Sequence, residues 1–154
     1  MIILRNLICL IGLFLMSPII LLSTILIILE DGFPPFFKQD RLGKDKEIIS
    51  IYKIRTMKKN SPQDGTHNVN NSYHLLSGRL IRKIKLDEFP QLINVIQGDI
   101  NLIGPRPGLI VQEELTTHRT KNNIYSIKPG ITGLAQATGF DMSNPSNLAT
   151  VDQI

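Results

Sequence analysis

The sequence is poor in cysteine and histidine, the residues that build disulfides and many metal centres. Cys9 is the one cysteine among 154 residues, so no internal disulfide can form and a reducing compartment is favoured. It lies in an apolar segment, where we interpret it as a small apolar side chain facing lipid. The histidines His67, His74 and His118 lack metal-ligand spacing and are predicted to lie on the surface. No serine or threonine lies in a nucleophile elbow.

The sequence also lacks zinc-finger spacing, an aromatic ribonucleoprotein motif and a clear helix-turn-helix. Its net charge is +4, and twelve of the 17 lysines and arginines lie between Lys38 and Lys85. A basic patch commonly binds nucleic acid, an anionic membrane surface or a phosphorylated small molecule. Without nucleic-acid motifs, the sequence predicts no nucleic-acid partner and favours the other two together.

Charge is absent from the 23 residues between Leu7 and Leu29, and a helix of that length reaches about 35 Å, enough to span the hydrocarbon layer. Ser17-Pro18 lies in the middle of this run, where proline kinks or breaks a helix. Cations flank both ends, which favours a cytoplasmic position for both; they are Arg5 before the run and Lys38, Arg41, Lys44 and Lys46 after it. We predict a re-entrant membrane helix over residues 1–31, broken at Ser17-Pro18, with a spanning helix as the alternative. The run is too long for a cleaved signal peptide and lacks an A-x-A-like site.

The remaining residues, 32–154, are predicted to form a small cytosolic domain of short helices with a β-hairpin, so the predicted fold class is α+β. Phe33, Phe36 and Phe37 are either an interfacial anchor or part of the soluble core. The predicted elements are a strand over 48–56 paired with 36–40, a loop over 59–72, helices over 75–84, 87–96 and 108–121, a Gly98 cap, an extended turn over 104–107 and a loop over 128–130.

Asp87 and Glu88 are adjacent carboxylates in a cationic surround formed by Arg79, Arg82, Lys83 and Lys85. Asp87 precedes an apolar helical run and is a candidate N-cap. A helix N-terminus also favours phosphate, and it would lower the pKa of a carboxylate there and keep it ionised as a nucleophile. Glu88 could hold a divalent cation together with substrate phosphates. Capping and chemistry both remain open for Asp87.

Arg82 and Arg106 are either solvated surface charges or phosphate ligands. Prolines on both sides of Arg106 stiffen its backbone, and a rigid guanidinium suits bidentate contact with phosphate.

Five motifs occur in order along the chain: the Ser17-Pro18 pair, FKQDRLG (37–43), YKIRTM (52–57), KLDEFPQLINVIQGDINLIGPRP (85–107) and KPGITGLAQ (128–136). With them, the chain from Arg5 onward resembles the bacterial sugar transferase family, the small monotopic phosphoglycosyl transferases.

The resemblance implies an enzyme in which Asp87 attacks the sugar-bearing phosphorus of a UDP-sugar. The phosphosugar held on Asp87 then passes to polyprenyl (undecaprenyl) phosphate, which initiates a lipid-linked glycan. It implies that Glu88 positions Mg²⁺ and that the remaining site residues bind phosphate or substrate, namely Arg82, Arg106, Lys85, Lys128 and Gln136. It also implies a bacterial inner membrane protein with its catalytic domain on the cytoplasmic face, in contact with membrane lipid and with downstream glycosyltransferases.

The chain departs from the family pattern at three places. Phe140 follows Gly139, near which the family commonly has an arginine, and Ile54 stands where phenylalanine is usual. The family pattern continues beyond residue 154 with a tyrosine-containing stretch and a helix. A truncated, catalytically inactive membrane scaffold of the same family is therefore the alternative function.

Overall fold

A computed structural model describes residues 2–62, 71–140 and 144–153. The helices are α1 (Ile2–Asp31), α2 (Leu76–Lys83), α3 (Gln91–Gln97), α4 (Glu113–Lys121), α5 (Leu134–Ala137) and α6 (Pro145–Val151). The strands are β1 (Phe36–Leu42), β2 (Ile48–Ile54), β3 (Asn101–Ile103), β4 (Gly108–Leu109) and β5 (Gly130–Thr132). One long apolar helix followed by short helices and strands confirms the predicted mixed architecture.

Helix α1 continues through Pro18, so the helix does not end at the predicted break, and the re-entrant path stays a prediction. Pro18 has no N–H group, and an unbroken helix would use that group to bond the carbonyl of Phe14. The Ser17 hydroxyl instead donates to the Phe14 carbonyl oxygen at 2.7 Å. This local bond satisfies the carbonyl and keeps the helix intact across the proline.

Most of the surface of α1 is apolar and exposed, including Ile3 (86%), Phe14 (78%) and Leu29 (78%). The helix is long and apolar enough to cross a membrane, which indicates a membrane protein. The interpretation of Cys9 as a side chain facing lipid is wrong, because Cys9 is buried at 1% exposure.

Strands β1 and β2 confirm the predicted strand pair, and the sheet order is β2-β1-β4. The link from Gly43 to Glu47 is closed by a 2.8 Å hydrogen bond from the Gly43 N–H to the Glu47 carbonyl oxygen. A link this short joins neighbouring strands as a hairpin, since a parallel pair needs a longer crossover. Strand β4 pairs antiparallel with β1, with Arg41 opposite Leu109.

Strands β3 and β5 form a separate parallel pair, with Asn101 opposite Gly130. The backbones cross closely beside it, because a Cβ atom on Gly130 would lie 2.2 Å from the Gly104 backbone nitrogen. Residues 104–107 between β3 and β4 lie in no helix or strand, and their extended conformation stays a prediction. Glycine at position 130 is therefore required by the approach of the 104–107 turn.

The chain divides into two compact units. Unit 1 comprises residues 1–38 and 52–96, and unit 2 comprises residues 39–51 and 97–154. The predicted division at residues 31 and 32 stays a prediction. Each unit is described by itself below.

The core of unit 1 joins α1 to the segment around Asp87 and Glu88, the carboxylate dyad. Ile27 of α1 is fully buried, and Met16 and Ile20 pack against the same cluster, whose other buried members are Ile54, Leu75, Ile81 and Leu86. Further along α1, a Cβ atom on Gly12 would lie 3.4 Å from Leu92 Cδ1. Both halves of α1 therefore contact the segment that carries Asp87.

Two carboxylates at the end of α1 secure this packing. The Glu30 carboxylate accepts hydrogen bonds from the backbone N–H groups of Leu76 (2.6 Å) and Ser77 (3.0 Å), the first residues of α2. Asp31 pairs with the buried guanidinium of Arg55, which also donates to the Gly32 carbonyl oxygen. A carboxylate at a helix N-terminus satisfies free N–H groups and complements the helix dipole.

Two predicted helices begin later than expected. Asp87 lies in a 3₁₀ turn over Leu86–Glu88 and α3 begins at Gln91, so Asp87 is not the N-cap of that helix. Residues 108–109 pair with β1 as β4, so the helix predicted over 108–121 begins only at Glu113, as α4. Leu76–Lys83 confirms the helix predicted over 75–84, and Gly98, with φ of +87°, confirms the cap after α3. His67 and most of the predicted 59–72 loop lie outside the described residues.

Candidate active site

The sequence Leu86-Asp87-Glu88 forms a short turn that the core holds in place. Lys85, with φ of +59°, ends the path of α2 and directs the chain into the turn. Leu86 then inserts into the core of unit 1 at 1% exposure. Because Leu86 is anchored, the next residue, Asp87, is fixed at 8% exposure. Lys85 itself is exposed.

The Asp87 carboxyl lies in a conflicting electrostatic environment. Burial raises its pKa, and the neighbouring Glu88 carboxylate raises it further, while the cations Lys53 and Arg82 lower it. The net effect raises the pKa of Asp87, so the lowered pKa that we predicted from a helix N-terminus is wrong. Among the described residues, Asp87 Oδ1 is buried and accepts no hydrogen bond. A buried carboxylate oxygen without a donor is poorly stabilised, which suits a nucleophile or a metal ligand.

Glu88 faces a lysine that the sequence did not mark as part of the site. Lys53 Nζ lies 3.9 Å from Glu88 Oε1, and their side chains are 16% and 12% exposed. The buried Asn94 side chain of α3 fixes this approach, because its Oδ1 accepts the Tyr52 N–H of β2 at 3.1 Å. The chain thus brings a cation from β2 to the dyad.

Arg82 is held by a histidine. Arg82 Nη1 lies 3.4 Å from His74 Nδ1. Burial lowers the pKa of His74, and the charges of Arg82 and Arg79 lower it further. Because a guanidinium only donates, Nδ1 of the neutral imidazole is the acceptor. His74 is therefore half-buried and in contact with a candidate site residue, rather than a plain surface side chain.

Three further candidate residues, Arg106, Lys128 and Gln136, lie in unit 2. Each forms a hydrogen bond through its backbone or its side chain. The Arg106 carbonyl oxygen accepts from Arg119 Nη1 at 2.7 Å. Lys128 Nζ donates to the Gly98 carbonyl oxygen at 2.5 Å. Gln136 Nε2 donates to the Ile131 carbonyl oxygen at 3.0 Å, and its Oε1 is buried without a hydrogen-bond partner among the described residues. Within unit 1, by contrast, the structure brings Asp87, Glu88 and Arg82 close enough for their charges to act on one another.

The donor set of the dyad fits magnesium better than a transition metal. Across residues 2–62, 71–140 and 144–153, no group of three or more His, Cys, Asp or Glu side chains is placed to hold a metal ion. Mg²⁺ is commonly held by one or two carboxylates together with substrate phosphates. Glu88 and the unsatisfied Asp87 Oδ1 supply oxygen ligands of that kind.

Sequence reasoning missed Lys53, His74 and Arg119. Lys53 lies within a strand rich in apolar residues, and a lone cation there was the one available signal. His74 and Arg119 become relevant only through contacts with Arg82 and Arg106. Such contacts depend on tertiary structure and leave no periodic pattern in the sequence.

Comparison with known proteins assigns the chain to a family. The family model described as bacterial sugar transferase matches residues 3–153. The chain is 42% identical over 123 residues to the uncharacterized sugar transferase EpsL of Bacillus subtilis, covering 80% of this chain and 60% of that protein.

Two further relatives carry activities in their names. Identity is 38% over 126 residues to a UDP-N-acetylgalactosamine-undecaprenyl-phosphate N-acetylgalactosaminephosphotransferase of Aeromonas hydrophila, covering 79% of this chain and 30% of the relative. It is 35% over 130 residues to a UDP-glucose:undecaprenyl-phosphate glucose-1-phosphate transferase of Caulobacter vibrioides, covering 82% and 49%. The chain spans between about a third and three fifths of these proteins' lengths. The match across nearly all of its own length shows that the chain belongs to the bacterial sugar transferase family.

Proposed function

We propose that this protein transfers a sugar 1-phosphate from a UDP-sugar to polyprenyl (undecaprenyl) phosphate through a covalent intermediate on Asp87. The observation that carries the proposal is the buried Asp87 carboxyl, whose Oδ1 accepts no hydrogen bond among the described residues and whose neighbours are Glu88, Lys53 and Arg82. The names of the relatives support both substrates.

The reaction has two displacements at one phosphorus atom. In the first, a carboxylate oxygen of Asp87 attacks the sugar-bearing phosphorus, the bond to the bridging oxygen breaks, and uridine monophosphate leaves with that electron pair. In the second, a phosphate oxygen of the polyprenyl phosphate attacks the same phosphorus and the Asp87 carboxylate leaves. The products are the polyprenyl diphosphate sugar and the regenerated enzyme, so atoms and charge balance.

The cations of the site offset the repulsion between a carboxylate and an anionic phosphate. Lys53 and Arg82 both lower the pKa of Asp87, so both favour the ionised nucleophile. Glu88 would hold Mg²⁺, which neutralises charge on the donor diphosphate. The family resemblance assigns phosphate or substrate contacts to Lys85, Arg106, Lys128 and Gln136 as well.

The proposed location is the cytoplasmic face of a bacterial inner membrane, with α1 entering and leaving by that face. Cations on both sides of the apolar run and the contacts along both halves of α1 support this topology. A hydrogen-bonded helix can still bend at proline. The lipid product would then pass to downstream glycosyltransferases on the same face.

Topology is testable with single cysteines. In a Cys9→Ala background, Arg5→Cys and Lys38→Cys should both react with a membrane-impermeant maleimide only when the cytoplasmic face is exposed. Labelling of the two positions from opposite faces would establish a spanning helix instead.

The chemistry is tested by trapping the intermediate. The full chain is purified and incubated with Mg²⁺ and a panel of radiolabelled UDP-sugars, without lipid acceptor. Uridine monophosphate release and a labelled protein are expected, and Asp87→Asn should lose both, whereas Asp45→Asn, whose carboxylate is 69% exposed, should retain both. An adduct that persists in Asp87→Asn, or direct transfer with no labelled protein, would overturn the mechanism.

A further inference from the structure

The turn that carries Arg106 is held by three consecutive backbone carbonyls. The Pro105 oxygen accepts the Gly130 N–H at 2.9 Å. The Arg106 oxygen accepts Arg119 Nη1 at 2.7 Å, and the Pro107 oxygen accepts Arg41 Nη1 at 3.0 Å. An extended turn between prolines has few backbone N–H groups with which to hold itself, so these outside donors supply its order.

The bonds at the Pro105 and Arg106 carbonyls constrain the backbone from which the Arg106 side chain departs. The peptide planes on either side of the Arg106 Cα atom contain the Pro105 carbonyl and the Arg106 carbonyl. With both carbonyls bonded, φ and ψ of Arg106 are fixed, and the direction of its Cα–Cβ bond follows. The Arg119 bond therefore helps to fix the direction in which the Arg106 side chain leaves the backbone.

The Arg119 side chain lies in the interior of unit 2. Its side chain is 2% exposed, and its Nε and Nη2 donate to Asp152 Oδ2 at 2.9 and 2.6 Å. The carboxylate of Asp152 is itself 3% exposed. A buried guanidinium is costly without a partner and a fixed geometry, and Asp152 supplies both. The third nitrogen, Nη1, is thereby left directed at the Arg106 carbonyl.

We infer that Arg119, oriented by Asp152, is a positioning residue that sets the Arg106 guanidinium for phosphate binding. The inference rests on the proposed function for the role of Arg106, and on the hydrogen bonds above for the role of Arg119. Lysine at position 119 keeps the charge beside Asp152 but cannot bond Asp152 and Arg106 in the same planar geometry. Since small misplacements of positioning groups can cost about 100-fold in rate, Arg119→Lys should lower kcat by roughly 10- to 100-fold.

The test separates positioning from general stability by a double-mutant cycle. The variants are Arg119→Lys, Arg106→Ala and the pair, with Lys121→Arg, an exposed residue of the same helix, as the matched control. If Arg119 acts through Arg106, Arg119→Lys lowers kcat in the wild-type background and changes it less than about twofold in the Arg106→Ala background. Its effect on the melting temperature should be equal in both backgrounds. An equal fold-loss of kcat in both backgrounds would overturn the inference.

A second readout does not depend on transfer activity. Amide hydrogen exchange at Gly130, whose N–H bonds Pro105, reports the order of the turn. Arg119→Lys should speed this exchange at least about tenfold relative to Lys121→Arg, and Asp152→Asn serves in its place where Arg119→Lys does not fold. Unchanged exchange overturns the positioning role. A wild-type protein without transfer activity but with faster exchange in Arg119→Lys would refute the proposed function and leave the control of the turn by Arg119 standing.

Discussion

The Ser17 hydroxyl donates to the Phe14 carbonyl oxygen at 2.7 Å, and that carbonyl is the one Pro18 leaves without its helical N–H partner. The pair Ser-Pro therefore contains both a defect in the hydrogen-bond ladder and its local repair. A helix can carry proline at its centre when the neighbouring residue satisfies the freed carbonyl.

This relationship predicts a coupling between positions 17 and 18. Ser17→Ala should destabilise the protein by about 1 kcal/mol, because it leaves the Phe14 carbonyl unsatisfied. In a Pro18→Ala background the new N–H can bond that carbonyl, and Ser17→Ala should then cost little. Circular dichroism in detergent measures the free energy of unfolding of the wild type, the two single variants and the double variant. Equal costs in both backgrounds would show that the hydroxyl does not serve the proline.

Asp87→Asn should stabilise the protein at neutral pH while it abolishes chemistry. The fold raises the pKa of Asp87 above the ordinary value of 3.8, so the native state favours the protonated form. Above its native pKa the buried charge destabilises the native state, with each unit of pKa difference worth about 1.4 kcal/mol. Asparagine removes this cost at pH 7. The gain should shrink as the pH falls through the native pKa and vanish below 3.8, where both states of the wild type are protonated.

Denaturant unfolding of wild type and Asp87→Asn between pH 3 and pH 8 measures this difference. Asp45→Asn, at an exposed carboxylate, should show no such trend. A stability difference that grows as the pH falls would reverse the assigned direction of the shift.

Lys53→Met should move the acid limb of the pH–rate profile to higher pH. Lys53 lowers the pKa of Asp87, so its loss raises that pKa further and reduces the ionised nucleophile at a given pH. The dependence of kcat/KM on pH for uridine monophosphate release measures the effect, with Lys44→Met, whose side chain is 47% exposed, as control. A profile that only scales down, with its acid limb unmoved, would assign Lys53 to binding.

Glu30→Ala should destabilise the contact between α1 and α2. It removes acceptors for the backbone N–H groups of Leu76 and Ser77 and for the Ser77 hydroxyl, which donates at 2.6 Å. Loss of a capping side chain costs about 1–2 kcal/mol. Thermal unfolding measures the loss against Glu47→Ala, at an exposed acid in the link between β1 and β2. Equal melting temperatures for the two variants would contradict the capping role.

Several features of the fold followed from local sequence. The uncharged run before Glu30 predicts a long apolar helix, the β-branched stretch in 48–56 predicts β2, and two prolines around Arg106 exclude a helix or strand there. Residues adjacent in sequence are adjacent in space, so the pairing of Asp87 with Glu88 was also visible. Each of these signals is carried by neighbouring residues.

Tertiary structure decided what the local patterns left open. The 108–121 pattern read as one helix because the sequence does not show that Leu109 pairs with Arg41. From the sequence, Asp87 was a candidate helix cap. Its burial was not predictable, because it depends on the insertion of Leu86 into a core to which α1 also contributes. Burial then reversed the direction expected for its pKa.

The sequence by itself determined which chemical groups are available: a proline-containing apolar helix, adjacent carboxylates, and an arginine between prolines. Only the tertiary structure decided their environment, by bringing Lys53 to Glu88, His74 to Arg82 and Arg119 to the Arg106 carbonyl. The physical reason is that hydrogen bonding and helix or strand preference act over a few residues. Desolvation and charge depend instead on every neighbour in space, wherever it lies in the chain.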